Sequence, residues 1–140
     1  MELIVDATNH VAGRLASLVA KAAVRGDDVH VINAEKAVIS GNEDYTVKQF
    51  KERVQKGDPY HGPFYPRYPD RILKRMIRGM LPYKKPQGKA ALKRVKVYLS
   101  IPDQFTGKET IRFKQAENTL YHKQMTLGQL SIKLGVNKSW

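Results

Sequence analysis

The sequence predicts an α/β fold built on a parallel sheet. A short apolar run at Glu2–Ala7 indicates a buried strand, an amphipathic segment follows at Ala12–Arg25, and a second β-branched run begins at Val29–Asn33. A strand, a helix and a strand in this order are typical of a βαβ unit, which has a right-handed crossover and parallel strands. With 140 residues, 41% of them hydrophobic and 27% charged, the chain suits one folded domain with its own core.

The first predicted helix has an apolar side and a basic side. On a helical wheel with about 100° per residue, its leucines and alanines share one side. Arg14, Lys21 and Arg25 share the other, and Gly26 is placed to end the helix. This helix should therefore pack against the sheet with its cations outward.

A second helix is predicted at Glu43–Lys56. Ala37–Ile39 extends the second strand or forms a third one, and Asn42 then suits the N-cap of the helix. Two acids in the first turn favour its positive end. Its apolar stripe of Val47, Phe50 and Val54 is narrow, so the helix should pack on one side only.

The stretch Gly57–Pro69 should be an ordered loop. It holds four prolines, two glycines and four aromatic residues in thirteen positions, which excludes a continuous helix or paired strand. Its rings Tyr60, Phe64, Tyr65 and Tyr68, close to Arg67, suit stacking on irregular RNA, although packing of these rings onto the domain is the alternative.

The segment between Pro69 and Pro82 separates into two faces as a helix. An apolar stripe occupies one side: Ile72, Leu73, Met76, Ile77 and Met80. Four cations occupy the other: Arg71, Lys74, Arg75 and Arg78. Asp70 at the start favours the helix dipole. The apolar face should therefore pack into the core, and the cationic face should contact solvent or an acidic partner.

The remaining elements are a second basic helix at about Pro86–Arg94, a strand at Val95–Ile101 and a short helix near the C-terminus. Thr126 and Gln129 have the spacing of a capping box, and Gly135 is placed to end that helix. Between them, 103–108 indicates a loop, 110–113 is compatible with a strand, and the pattern of 115–123 is ambiguous.

The positive charge is concentrated in one part of the chain. The formal net charge is +12, and residues 67–96 hold eleven of the 25 cations but only one of the 13 acids. A cationic helix face is most often simply solvated, yet such faces usually alternate acids with bases, and like charges four residues apart destabilise a helix. The pattern therefore favours a polyanionic partner, with nucleic acid ahead of an anionic membrane.

The sequence offers little support for an enzyme. It contains no cysteine, no glycine-rich phosphate-binding motif, no G-x-S-x-G, and four histidines without metal-ligand spacing. Asp6 at a strand end favours a turn or capping role. The N-terminus lacks the cations of a signal peptide, and no apolar run could span a membrane. A structural RNA-binding protein and a nucleotide-using enzyme remain as hypotheses, and the residues favour the first.

Three segments resemble one known family. VDATNHVAGRLAS, INAEKAVISGN and HGPFYPRYPDRILKRMIRGMLPYKKPQGKAALKRVKVY are similar to the ribosomal protein L-thirteen family of the large ribosomal subunit, in its archaeal form. The resemblance covers most of Met1–Pro102 and is looser beyond it. The long basic C-terminal extension of eukaryotic relatives does not follow Trp140, so their extra-ribosomal roles are not expected here.

The resemblance implies a three-layer α/β/α domain over residues 1–140, with a small, mostly parallel sheet of about four strands. It implies a basic RNA-binding segment at 61–96 and a C-terminal helix at about 126–135. The expected partners are large-subunit ribosomal RNA and neighbouring ribosomal proteins in the cytoplasm, with no membrane, cofactor, metal or small-molecule substrate and no catalysis. The expected function is support of early subunit assembly. The residues expected to contact RNA are Arg71, Lys74, Arg75, Arg78, Lys84, Lys85, Lys89, Lys93, Arg94, Arg67, His61 and Arg14.

Overall fold

The computed structural model describes residues 1–119 and 122–140. Within them the strands are β1 (Glu2–Asp6), β2 (Asp28–Ile32), β3 (Val38–Ser40), β4 (Val95–Val97) and β5 (Gln124–Thr126). The helices are α1 (Ala12–Arg25), α2 (Glu43–Gln55), α3 (Pro69–Gly79), α4 (Pro86–Arg94) and α5 (Leu127–Lys133). The stretch 115–123, whose sequence pattern is ambiguous, includes residues 120 and 121, which lie outside the described residues.

A three-stranded parallel sheet forms the centre of the fold. The strand order is β1-β2-β4, with β2 in the middle and parallel to both neighbours. In register, Leu3 lies opposite Val29 and Val31 opposite Val97. Helix α1 connects β1 to β2, so the predicted βαβ unit and the α/β class with a mostly parallel sheet are confirmed.

The two faces of the sheet are covered differently. Alternate strand residues such as Val5, Val29 and Val95 are fully buried in the main core, together with the apolar sides of α1, α3, α4 and α5. On the opposite face, Ile4 and Ile32 pack against Phe105, which lies in a short 3-10 turn. The helices that carry the cations therefore belong to the main core side.

A separate antiparallel pair of strands, β3 and β5, joins the C-terminal part of the chain to the rest of the fold. Val38 of β3 lies opposite Thr126 of β5, and α5 begins at the next residue. The predicted capping box is present, since the Thr126 hydroxyl accepts from the Gln129 backbone N–H and the Gln129 side chain accepts from the Thr126 N–H. Buried Leu127 and Leu130 join α5 to the main core.

Local signals also fix the ends of the earlier helices. Helix α1 ends at Gly26, whose φ of 107° lies in the left-handed region that glycine adopts without strain. The Asn42 side chain accepts a 2.9 Å hydrogen bond from the Asp44 N–H and caps α2 as predicted. Among the residues described, no helix is long and apolar enough to cross a membrane.

Three expectations need correction. Strand β4 ends at Val97 instead of Ile101, because Tyr98 and Ser100 accept hydrogen bonds from the turn after β2 and Ser100 takes a positive φ of 51°. The possible strand at 110–113 makes only a single parallel bridge, from Ile111 to Val5. Met80, which the helical wheel assigns to the apolar stripe, is 46% exposed. Helix α3 ends at Gly79, so Met80 does not follow the helical periodicity.

Candidate nucleic-acid interface

Helix α3 presents its cations because its other side is locked into the core. Pro69 occupies the first turn, where its missing N–H costs no helix hydrogen bond. Ile72, Leu73 and Ile77 are fully buried, which fixes the rotation of the helix about its axis. The four cations of α3 therefore face outward or lie half-buried at the rim: Arg71, Lys74, Arg75 and Arg78.

Arg75 binds the proline-rich loop to α3. Its Nη2 donates a 3.0 Å hydrogen bond to the carbonyl oxygen of Phe64, and its guanidinium lies 5.4 Å from the centre of the Tyr65 ring. Arg53 of α2 lies over the same ring at 5.8 Å. Phe50 of α2 meets that ring at its edge, with centroids 5.9 Å apart. The loop is thus held between α2 and α3.

Two more arginines of α3 lie over aromatic rings. The Arg71 guanidinium is 5.7 Å from the Tyr68 ring centre, and the Arg78 guanidinium is 4.6 Å from that of Tyr83. Such contacts stabilise a cation by roughly 0.5–1 kcal/mol at exposed sites. They also restrict the side chain while leaving guanidinium N–H groups available, which favours bidentate binding of phosphate.

The loop at residues 64–68 and helix α3 line an open groove with a volume of about 570 Å³. Five of the predicted RNA-binding cations line it, so the fold brings them to one place: Arg67, Arg71, Lys74, Arg75 and Arg78. The other lining residues are aromatic or apolar, namely Phe64, Tyr65, Pro66, Tyr68 and Leu92. Among the residues that the structure describes, no acid lines this groove, so its chemistry suits an anion that carries a flat apolar group.

A close contact between backbones sets the position of α4. A Cβ atom placed on Gly88 would lie 2.0 Å from the carbonyl oxygen of Pro82, which leaves space there for glycine only. Lys84, Lys85 and Lys89 are exposed in the turn before α4 and in its first turn. They extend the cationic surface beyond α3, although none of them lines the groove.

Like these three lysines, the remaining four predicted residues lie outside the groove. Arg94 donates a 3.0 Å hydrogen bond from Nη1 to the carbonyl oxygen of Ala23, at the end of α1. Lys93 and Arg94 line a different pocket that also contains two acids. His61 lies 3.3 Å from an Asp58 carboxylate oxygen, and Arg14 is exposed on α1.

The lysines and arginines of residues 67–96 form no ion pair with an acid of the described residues. In the part of the chain that the structure describes, ion pairs involve Asp6, Asp27, Asp58, Glu2, Glu43 and Glu117, and none of these joins a lysine or arginine of 67–96. The same part contains no group of three or more His, Asp and Glu side chains that could hold a metal ion. The charge of this surface therefore remains available to an external anion.

The sequence gives no sign that two further residues, Arg53 and Tyr83, contribute to this interface. Arg53 belongs to α2, yet it lies over the Phe50 ring at 5.1 Å and over the Tyr65 ring as well. Tyr83 follows the helix break and lies under Arg78. Both contacts depend on the approach of separate elements, although the arginine spacing in α3 does indicate a cationic surface.

Comparisons with known proteins show which family this chain is similar to. The family model described as "Ribosomal protein L13" matches residues 1–104. A protein of Methanosarcina barkeri named "Large ribosomal subunit protein uL13" is 45% identical over 94% of this chain and 96% of its own length. Proteins with the same name are 45% identical in Haloarcula marismortui, over 99% of this chain and 94% of the relative, and 46% identical in Methanocaldococcus jannaschii, over 94% and 96%.

Proposed function

This chain belongs to the ribosomal protein L13 family, and from that premise we propose that it binds large-subunit ribosomal RNA through its cationic surface and supports early subunit assembly. It is a structural constituent of the ribosome and takes part in translation, as a non-enzymatic protein. Its location is the large ribosomal subunit in the cytoplasm.

The observation that carries the RNA-binding proposal is the unpaired charge around the groove. Five cations converge there without an acid, and none has an internal ion pair among the described residues. Repulsion between them costs free energy in the free protein. A partner with closely spaced phosphates removes that repulsion and releases counterions on binding.

The cations act as a preorganised array. The buried side of α3 fixes the helix, and the contacts of Arg71, Arg75 and Arg78 with aromatic rings restrict their side chains. Less conformational entropy is then lost when phosphate binds. Because phosphates carry no sequence information, this surface stabilises a shape of RNA in which strands converge.

The proposed RNA contacts fall into three sets. The central set lines the groove: Arg67, Arg71, Lys74, Arg75 and Arg78. Lys84, Lys85 and Lys89 form an outer set at the start of α4. Lys93, Arg14 and His61 remain secondary candidates, and Arg94 is expected to act mainly through its hydrogen bond to Ala23.

The proposal is tested by reversing charge at the groove. We expect Arg75→Glu combined with Arg78→Glu to weaken binding to large-subunit ribosomal RNA fragments. The salt dependence should also decrease, by about 0.7 to 0.9 in the slope of log K against log[salt] for each phosphate that the variant no longer neutralises. Filter binding or fluorescence anisotropy across a salt series measures both quantities.

The matched control reverses the same charge elsewhere. Lys48→Glu with Lys51→Glu changes two exposed cations of α2 that do not line the groove. It should alter affinity and slope much less than the groove variant. If the groove variant kept the wild-type affinity and salt slope while remaining folded by circular dichroism, the RNA-binding proposal would be wrong.

The assembly role is tested in cells. Crosslinking followed by RNA sequencing should recover large-subunit ribosomal RNA at the groove, and sedimentation should find the protein in precursor particles of the large subunit. Recovery of the protein mainly free of ribosomal particles would contradict this role.

A further inference from the structure

We infer that the groove between α3 and the loop at residues 64–68 receives an unpaired nucleotide of RNA, with the Phe64 ring as the stacking surface for its base. This inference rests on the proposed RNA-binding function and narrows it. Neutralising the phosphates of a duplex needs only cations, whereas this groove also offers a fixed aromatic ring.

Phe64 is exposed and yet held in position. Its exposed fraction is 66%, while one edge of its ring lies against Gly62, where an added Cβ would come within 2.8 Å of ring atom Cε2. Its carbonyl oxygen accepts the hydrogen bond from Arg75. Pro63 and Pro66 on either side restrict the backbone further. The ring is therefore preorganised, and it is both exposed and part of the groove lining.

The neighbouring rings have arginine partners, whereas Phe64 has none among the residues described. Tyr65 contacts Arg53 and Arg75, and Tyr68 contacts Arg71. Within residues 1–119 and 122–140, no ring or guanidinium contact involves Phe64 itself. An unpaired base can stack on such a ring, and base-aromatic stacking tolerates any base identity.

The size and lining of the groove fit a single nucleotide. Its volume of about 570 Å³ lies within the range of pockets that hold small organic ligands. Lys74, Arg71 and Arg67 also line the groove and can bind the flanking phosphates. In the described part of the chain, no acid or amide side chain lines the groove to bind the edge of cytosine or adenine, and stacking on the Phe64 ring accepts any base.

The test compares two RNA hairpins that differ by one unpaired nucleotide. One hairpin has a fully paired stem and the other carries a single bulged 2-aminopurine in the same stem. Wild-type full-length protein should bind the bulged hairpin more tightly and quench its fluorescence. Phe64→Leu should lose this preference, by a factor on the order of tenfold, without a change in the salt slope. Phe64→Tyr, which keeps a ring, should retain it.

Tyr60→Leu is the matched control. Tyr60 lies in the same loop and is 88% exposed, but it does not line the groove, so its removal should leave the preference for the bulge intact. Equal loss in the Tyr60 and Phe64 variants would overturn the assignment to this groove. Retention of the preference in Phe64→Leu would overturn it as well.

Two further outcomes separate this inference from its premise. If Phe64→Leu binds both hairpins as the wild type does while Arg75→Glu with Arg78→Glu weakens both, the nucleotide site is wrong and the RNA-binding function stands. If a glutamate-rich peptide binds the wild type and loses affinity in Phe64→Leu while RNA binding does not change, the groove binds an acidic protein segment instead.

Discussion

The Nη1 atom of Arg94 donates a hydrogen bond of 3.0 Å to the carbonyl oxygen of Ala23. It joins the last residue of α4 to the last turn of α1, where the Ala23 carbonyl oxygen also accepts from the Gly26 N–H and the helix dipole favours a cation. Arg94 thus contributes to the fold directly, although its charge belongs to the basic run of residues 67–96.

We expect Arg94→Gln to lower the free energy of unfolding by about 1–2 kcal/mol, because a charge-assisted hydrogen bond at a helix C-terminus is removed. Urea unfolding followed by circular dichroism measures the change. Lys93→Gln is the control, since Lys93 is exposed and makes no such bond in the part of the chain described. Equal stability of the two variants would show that the Arg94 contact contributes nothing.

Gly88 offers a test of how α4 is placed. We expect Gly88→Ala to destabilise the fold by about 1–3 kcal/mol, because the new methyl group would meet the Pro82 carbonyl at 2.0 Å and force the two backbones apart. RNA affinity should decrease too, since Lys84, Lys85 and Lys89 would move relative to α3. Thermal unfolding and anisotropy measure the two effects.

Gly79→Ala is the control for that substitution. Gly79 is the last residue of α3, and no described atom lies within 4 Å of a Cβ added there, so alanine should be neutral or slightly stabilising. Wild-type stability of Gly88→Ala would mean that the Pro82 contact relaxes without cost.

Asp6 should make the free energy of unfolding depend on pH in the acidic range. Partial burial acts to raise the pKa of Asp6, but hydrogen bonds from Thr8 and Asn33, with the charge of Arg112, outweigh it and hold the pKa below its ordinary value. A depressed pKa in the folded state stabilises the fold above the unfolded pKa of about 4, and this contribution is lost as pH falls through the folded value.

We therefore expect wild-type unfolding free energy to exceed that of Asp6→Asn at neutral pH, with the difference shrinking below about pH 4. Denaturant unfolding across that range measures it. Glu109→Gln, at an exposed residue, should track the wild type. A difference between wild type and Asp6→Asn that does not change with pH would exclude this titration.

Local patterns in the sequence predict those parts of the fold that local interactions decide. The bounds of α1 and α4, the Asn42 cap and the Thr126 capping box follow from periodicity and capping residues, and all are confirmed. The wheel of α3 places Ile72, Leu73 and Ile77 correctly in the core. It fails at Met80, because the helix ends one residue earlier and Leu81 becomes buried instead.

Contacts between distant residues are what the patterns miss. The sequence indicates cations on one face of α3, but it does not show that the loop folds back so that Arg75 reaches Phe64. The sequence also gives no sign of the hydrogen bond from Arg94 to Ala23, because Ala23 lies in another helix. The single-domain organisation of residues 1–140 and the RNA contacts stay predictions.

The pairing of β3 with β5 has a consequence for the order in which the protein can fold during synthesis. Val38 is synthesised well before its partner Thr126 and before the core residues Leu127 and Leu130. Until then β3 lacks its partner strand β5 and the main core lacks the side chains of α5. The cationic residues of 67–96 have already been synthesised by that time. The family model matches residues 1–104, yet the main core closes only after Leu127 and Leu130 have left the translating ribosome.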